Sequence, residues 1–145
     1  MLTPAQEAAL ALLKTPASFA VIGVSAQPEK YGYEVFETLH SGGYTVYPIN
    51  PKYTEIDGCR CYASLAELPA MPDAVVLALA PHVTEQTTPK VLAAGAQLVW
   101  LPPGCFTEAA VDACQAAGVP VIHDVCPVGA LRALQMLAAD GSAAA

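Results

Sequence analysis

Basic side chains are scarce in this sequence: six Lys and Arg stand against 13 Asp and Glu, giving a formal net charge of −7 over 145 residues. A nucleic-acid footprint needs a basic face, and this chain has too few cations to build one. Charged residues of both signs make up 13% and hydrophobic ones 54%, the reverse of a disordered composition. No apolar run approaches the ~18 residues that a membrane span requires. Near the N-terminus, Glu7 and Lys14 interrupt any compact apolar segment, so no signal peptide is expected. No Cys-x-x-Cys occurs, Cys59 and Cys61 stand too close for a disulfide framework, and the five cysteines are an odd number. The expectation is a reduced, cytoplasmic protein without nucleic-acid or membrane partners, its cysteines mostly small core residues. No repeat and no linker divides it, and 1–145 suits one domain with one sizeable core. An anionic small ligand is still open to it, because that needs only backbone donors and a few local cations.

What is there is an alternation of apolar runs and amphipathic stretches. After a helix at 4–14, capped by Thr3 with Pro4 in its first turn, buried strands are expected at 18–24, 44–49, 73–79, 97–101 and 119–123. Pro48 is expected to loosen pairing near the end of the second strand. Helices are expected at 32–42, ended by Gly42 and Gly43, at 82–94 with Pro89 kinking or restarting it, from Thr107 to 117, and at 128–138. Asp57-Gly58 suggests a small hairpin, and Ser64 with Glu67 a capping box on a short helix. The first helix falls within an N-terminal segment of 1–17, and the Ala-rich tail at 139–145 is expected to fray. Continuous apolar strands alternating with helices predict an α/β, Rossmann-like, doubly wound parallel sheet of about five strands.

In such a sheet the ligand lies beyond the carboxyl ends of the strands, so the five following loops are the places to look. After the first strand come Gly23, Val24 and Ser25, then Pro28, Lys30, Tyr31 and Gly32. This is not G-x-G-x-x-G, yet a glycine for close approach, a hydroxyl, a lysine and the amides opening a helix together favour an anion. After the second strand stand Asn50, Pro51 and Lys52, where a nicotinamide enzyme would carry an acid for the ribose hydroxyls. A lysine there suits a phosphorylated ribose. Ala80 and Pro81 follow the third strand and leave room, with His82 read as an exposed helix-start residue. The fourth strand ends in Trp100, read as a core side chain, and a turn of Leu101, Pro102, Pro103 and Gly104 able to line a channel. His123 and Cys126 after the fifth strand suggest a Cys-His nucleophile, but sequence adjacency is poor support and nothing defines an oxyanion hole. They are too few for a metal site, so a structural loop closing the sheet edge is expected.

Taken in order, "VIGVSAQPEKYGYEV", "GYTVYPINPKY", "DGCRCYASLAELP", "GAQLVWLPPG" and "AGVPVIHDVCP" resemble the CoA-binding domain family from about Phe19 to Leu134. This is the Rossmann-like module that also forms the N-terminal part of the succinyl-CoA synthetase alpha subunit, and the chain looks like its stand-alone version. The resemblance implies a strand order of 3-2-1-4-5 and coenzyme A held across the carboxyl ends of the strands. It implies that Gly23, Val24, Ser25, Pro28, Lys30, Tyr31 and Gly32 meet the phosphates. Asn50, Pro51 and Lys52 would lie near the phosphorylated ribose, and Ala80, Pro81, Leu101, Pro102 and Gly104 would flank the adenine or pantetheine. A counterpart of the synthetase's phosphohistidine domain is not expected, and binding of CoA or an acyl-CoA without catalysis is expected. Two other readings stand beside it. One is an NAD(P)-dependent oxidoreductase, supported by the general fold alone. The other is a thiol redox role in which Cys105 or Cys126 joins the CoA thiol, which needs a low-pKa, accessible cysteine.

Overall fold

The computed structural model describes residues 1–144, with side chains described as far as residue 139. Five helices alternate with the strands: α1 (Pro4–Leu13), α2 (Tyr31–Ser41), α3 (Pro81–Ala93), α4 (Glu108–Ala116) and α5 (Pro127–Ala144). The strands are β1 (Ser18–Ile22), β2 (Thr45–Ile49), β3 (Glu55–Ile56), β4 (Cys59–Arg60), β5 (Ala74–Leu77), β6 (Val99–Leu101) and β7 (Val121–His123). Five of them form one parallel sheet in the order β2-β1-β5-β6-β7, while β3 and β4 make a separate hairpin. Asp57 (φ 50°) and Gly58 (φ 78°) supply the two positive dihedrals that its tight turn requires.

The inner strands β1, β5 and β6 have apolar residues buried on both faces. Phe19, Val21, Val76, Trp100 and Ile122 pack with Leu13 of α1, Val35, Phe36 and Leu39 of α2, and Leu131 of α5. Ala20, Val75, Leu77 and Val99 face the other way, toward Val91 of α3 and Ala110, Val111 and Cys114 of α4. This explains why the strands read as unbroken apolar runs: neither face is left to water. Trp100 is fully buried, as expected, and its Nε1 donates to the carbonyl of Val125 at 2.7 Å.

Five details differ from expectation. Pro48 does not loosen β2, which stays in register with β1 through Val21–Pro48 and Ile22–Ile49. Its carbonyl faces outward and accepts from Tyr62 N, and the missing N–H lies on that same outer edge. That contact belongs to a parallel bridge between Ile49 and Tyr62. Tyr62 therefore occupies the third place outside β2, and Ala74–Leu77, expected as the third strand, stands between β1 and β6 as the fourth. With that shift of numbering the order is of the 3-2-1-4-5 kind. Ser64 and Glu67 form no capping box. Leu65–Glu67 is a single 3-10 turn without a side-chain cap, and Glu67 reaches back to the amide of Ala63 instead. Finally, α3 runs through Pro89 without restarting, and α5 continues to Ala144. Residue 145, the end of the tail expected to fray, lies outside the described residues. Among the described residues no helix is long and apolar enough to cross a membrane.

Candidate functional site

The turn after β1 is set by two glycines that touch. Gly23 has φ +97°, and a Cβ there would fall 2.5 Å from the carbonyl oxygen of Ala78. A Cβ on Gly32 would fall 2.2 Å from the carbonyl oxygen of Gly23. The first turn of α2 therefore lies directly on the end of β1. In a dinucleotide fold the third glycine of the fingerprint permits this close helix–strand packing. Judged by spacing that glycine is absent here; judged by role, Gly32 fills it from a position farther along the chain.

Lys30 is the N-cap of α2, but no side chain caps the helix. The first amides of a helix have no partner within it and carry its positive dipole end. These amides open into a cleft of about 590 Å³ at the carboxyl ends of β2, β1, β5 and β6. Ser25 shapes the loop below by accepting from the amide of Gln27 at 3.1 Å, and its hydroxyl lies 3.5 Å from that of Tyr53. Hydrogen bonds from Ser25 and then from the Ala26 amide hold the Tyr53 phenol below its ordinary pKa. Lys30 and Lys52 both line the cleft and both are exposed.

Gly23, Ser25, Lys30, Tyr31, Gly32, Asn50, Lys52, Ala80 and Gly104 all come together around this one cleft. Asn50 is committed to the fold: its Nδ2 donates to Val24 O at 2.8 Å and its Oδ1 accepts from Lys52 N at 2.9 Å. It ties the β2 loop to the β1 turn and so positions Lys52. The other expected residues lie elsewhere. Val24 and Leu101 are wholly buried in the core, and Pro102 is buried beside Leu101. Pro28 is exposed on the loop before α2, and Pro81 is exposed at the start of α3. Pro51 faces a different hollow, shared with Ile22, Ile49 and Lys90. Gln27, Tyr53, Ala78, Leu79 and Cys105 also line the cleft. Tyr53 and Cys105 directly follow expected residues, whereas Ala78 and Leu79 lie past the end of β5, in a stretch whose sequence reads as strand.

Two thiols stand at the β6–β7 side. Cys105 is buried, and that burial pushes its pKa up. Cys126 Sγ lies 3.0 Å from the hydroxyl of Tyr31. Burial first, and then this contact, drive the Tyr31 hydroxyl far above its ordinary pKa, so it stays protonated and able to donate. The structure gives the His123–Cys126 pair no support. The His123 ring packs edge-on against Phe106, its Nδ1 is buried without a partner, and Cys126 bonds Tyr31 instead. Among the described residues no cluster of three potential metal ligands occurs.

The profile of a CoA binding domain family matches residues 17–132, most of the chain. The chain belongs to that family. It is 39% identical over 74 residues to the acetate–CoA ligase [ADP-forming] II subunit alpha of Pyrococcus furiosus, covering 50% of this chain and 16% of that one. It is 25% identical over 126 residues to the uncharacterized protein YneT of Bacillus subtilis, covering 87% of this chain and 93% of that one. A solved structure of a hypothetical protein from Pyrococcus horikoshii OT3 superposes with a TM-score of 0.83 at 29% identity, covering 92% and 93% of the two chains. The chain thus spans only a small part of the ligase relative and nearly all of the other two.

Proposed function

We propose that the cleft binds coenzyme A or an acyl-CoA, with binding rather than catalysis as its activity. One observation carries this reading: the uncapped α2 N-terminus, set directly on Gly23 by Gly32, opens between Lys30 and Lys52 in a chain of net charge −7. The pyrophosphate sits on the first-turn amides of α2 beside Lys30, where backbone donors and the helix dipole favour an anion. Lys52 meets the phosphorylated ribose, and the pantetheine arm runs over Ala80 toward Gly104 and Cys105. Family membership supports the same ligand. The acid that would hold a nicotinamide ribose is replaced by Asn50, whose amide is already spent on Val24 and Lys52. Cys105 is a poor thiol nucleophile, because burial keeps it protonated where a reactive thiolate needs a lowered pKa. A cytoplasmic location suits this reading, since a reducing compartment maintains five free thiols.

Isothermal titration with CoA is expected to show saturable one-to-one binding that weakens as salt screens the exposed lysines. NADH is expected to give no heat under the same conditions. Binding of NADH in preference to CoA would replace this reading with the oxidoreductase one.

A further inference from the structure

A second hollow, of about 260 Å³, opens between α1 and α5. Its walls include Leu2 ahead of α1, Leu10 within it, Val125 and Cys126 before α5, and Gly129 and Ala133 on α5. The lining is mostly apolar, with Gln6 and Asp124 as its polar members, and Leu2 is 47% exposed. Cys126 connects the two places. It lines this groove, and its thiol contacts the hydroxyl of Tyr31, which lines the cofactor cleft together with Cys105. The Tyr31–Cys126 pair is therefore a wall common to a polar cleft and an apolar groove.

That wall is built to open at one point. A thiol is a weak hydrogen-bond partner, both residues are only partly buried, and a phenol turns about its side-chain torsions. The backbone behind it is held: Trp100 fixes Val125 O, and Ala130 N bonds Cys126 O at 2.9 Å. The strand order supplies the direction. The lysine end of the cleft is at β2 and β1, and Cys105 follows β6, three strand spacings or ~14 Å from β2. A thioester anchored by its phosphates at the cationic end presents its acyl group at the Cys105 end, beside Tyr31.

We infer that the groove between α1 and α5 receives the acyl chain of a CoA thioester, with Tyr31 as the gate from the cleft; this rests on the CoA reading of the cleft. The cleft then recognises the nucleotide and the groove selects the chain.

Gly129→Leu projects a side chain at the groove from a position where an added Cβ meets only an ordinary contact, 3.8 Å from Cys126 Cβ, and Gly129 is helical and exposed. The full chain is titrated with CoA, acetyl-CoA and octanoyl-CoA. The unsubstituted protein is expected to bind octanoyl-CoA at least about tenfold more tightly than acetyl-CoA, because buried methylenes stabilise. Gly129→Leu is expected to erase that preference and to leave CoA affinity unchanged. Equal affinity for the two thioesters, or a preference that survives Gly129→Leu, overturns the inference while leaving the CoA site standing. Failure of all three ligands to bind removes the CoA reading and this one with it.

Discussion

Gly32→Ala is expected to destabilise the protein by at least about 3 kcal/mol, the upper range for an overpacked position, and to abolish CoA binding. The added Cβ would lie 2.2 Å from the carbonyl oxygen of Gly23. That oxygen is backbone, and the Gly23 amide is itself bonded to Ile49 O at 3.0 Å, so no rotamer change relieves the clash. The first turn of α2 has to lift from β1, and lifting it moves the amides that form the proposed phosphate seat. Gly43→Ala is the comparison: unlike the helical Gly32 it sits at positive φ (+95°), but no atom lies within 4 Å of its Cβ position. It carries only the conformational cost of a side chain at positive φ, about 1 kcal/mol. Urea denaturation compares the two. A Gly32→Ala midpoint no lower than that of Gly43→Ala would mean that the glycine contact does not determine the packing of α2.

Lys52→Ala is expected to weaken CoA binding about tenfold, the effect of one exposed charge-assisted contact, and to leave dephospho-CoA affinity unaltered. The reason is position: Lys52 follows β2, its amide fixed by Asn50 Oδ1, at the end of the cleft where the proposed mode puts the phosphorylated ribose. Lys30, at the N-cap of α2, stands beside the proposed pyrophosphate seat instead. Lys30→Ala is therefore expected to weaken both ligands by a similar factor. Titration calorimetry with both ligands on both variants checks this. Equal losses of CoA and dephospho-CoA in Lys52→Ala would rule out its contact with the ribose phosphate.

The sheet and its helices are legible in the sequence because the inner strands are buried on two faces. A run such as Ala74–Leu77, all buried, can be little else once helical patterns flank it. The Tyr62 bridge is not legible, because a single paired residue leaves no periodicity. Ser64 and Glu67 have the residue types of a capping box, but the loop geometry sends Glu67 to Ala63 instead. Leu101 and Pro102 show the same limit within the site. An apolar strand end does not say which face it turns, and these two turn into the core while Gly104 and Cys105 face the cleft. The role of Gly32 was hidden because the dinucleotide fingerprint is written as a spacing, whereas the physical requirement is a contact with Gly23. Asn50 was legible as a residue of this rim but not as a brace, since its partners Val24 and Lys52 are fixed only by the fold.

A crystal structure of the protein grown with CoA tests the central claim most directly. The account predicts the pyrophosphate oxygens within hydrogen-bond distance of the first-turn amides of α2, with Lys30 beside them and Lys52 at the ribose phosphate. CoA seated instead in the hollow of Pro51 and Lys90, or in the cleft with both Lys30 and Lys52 turned away from its phosphates, would contradict it.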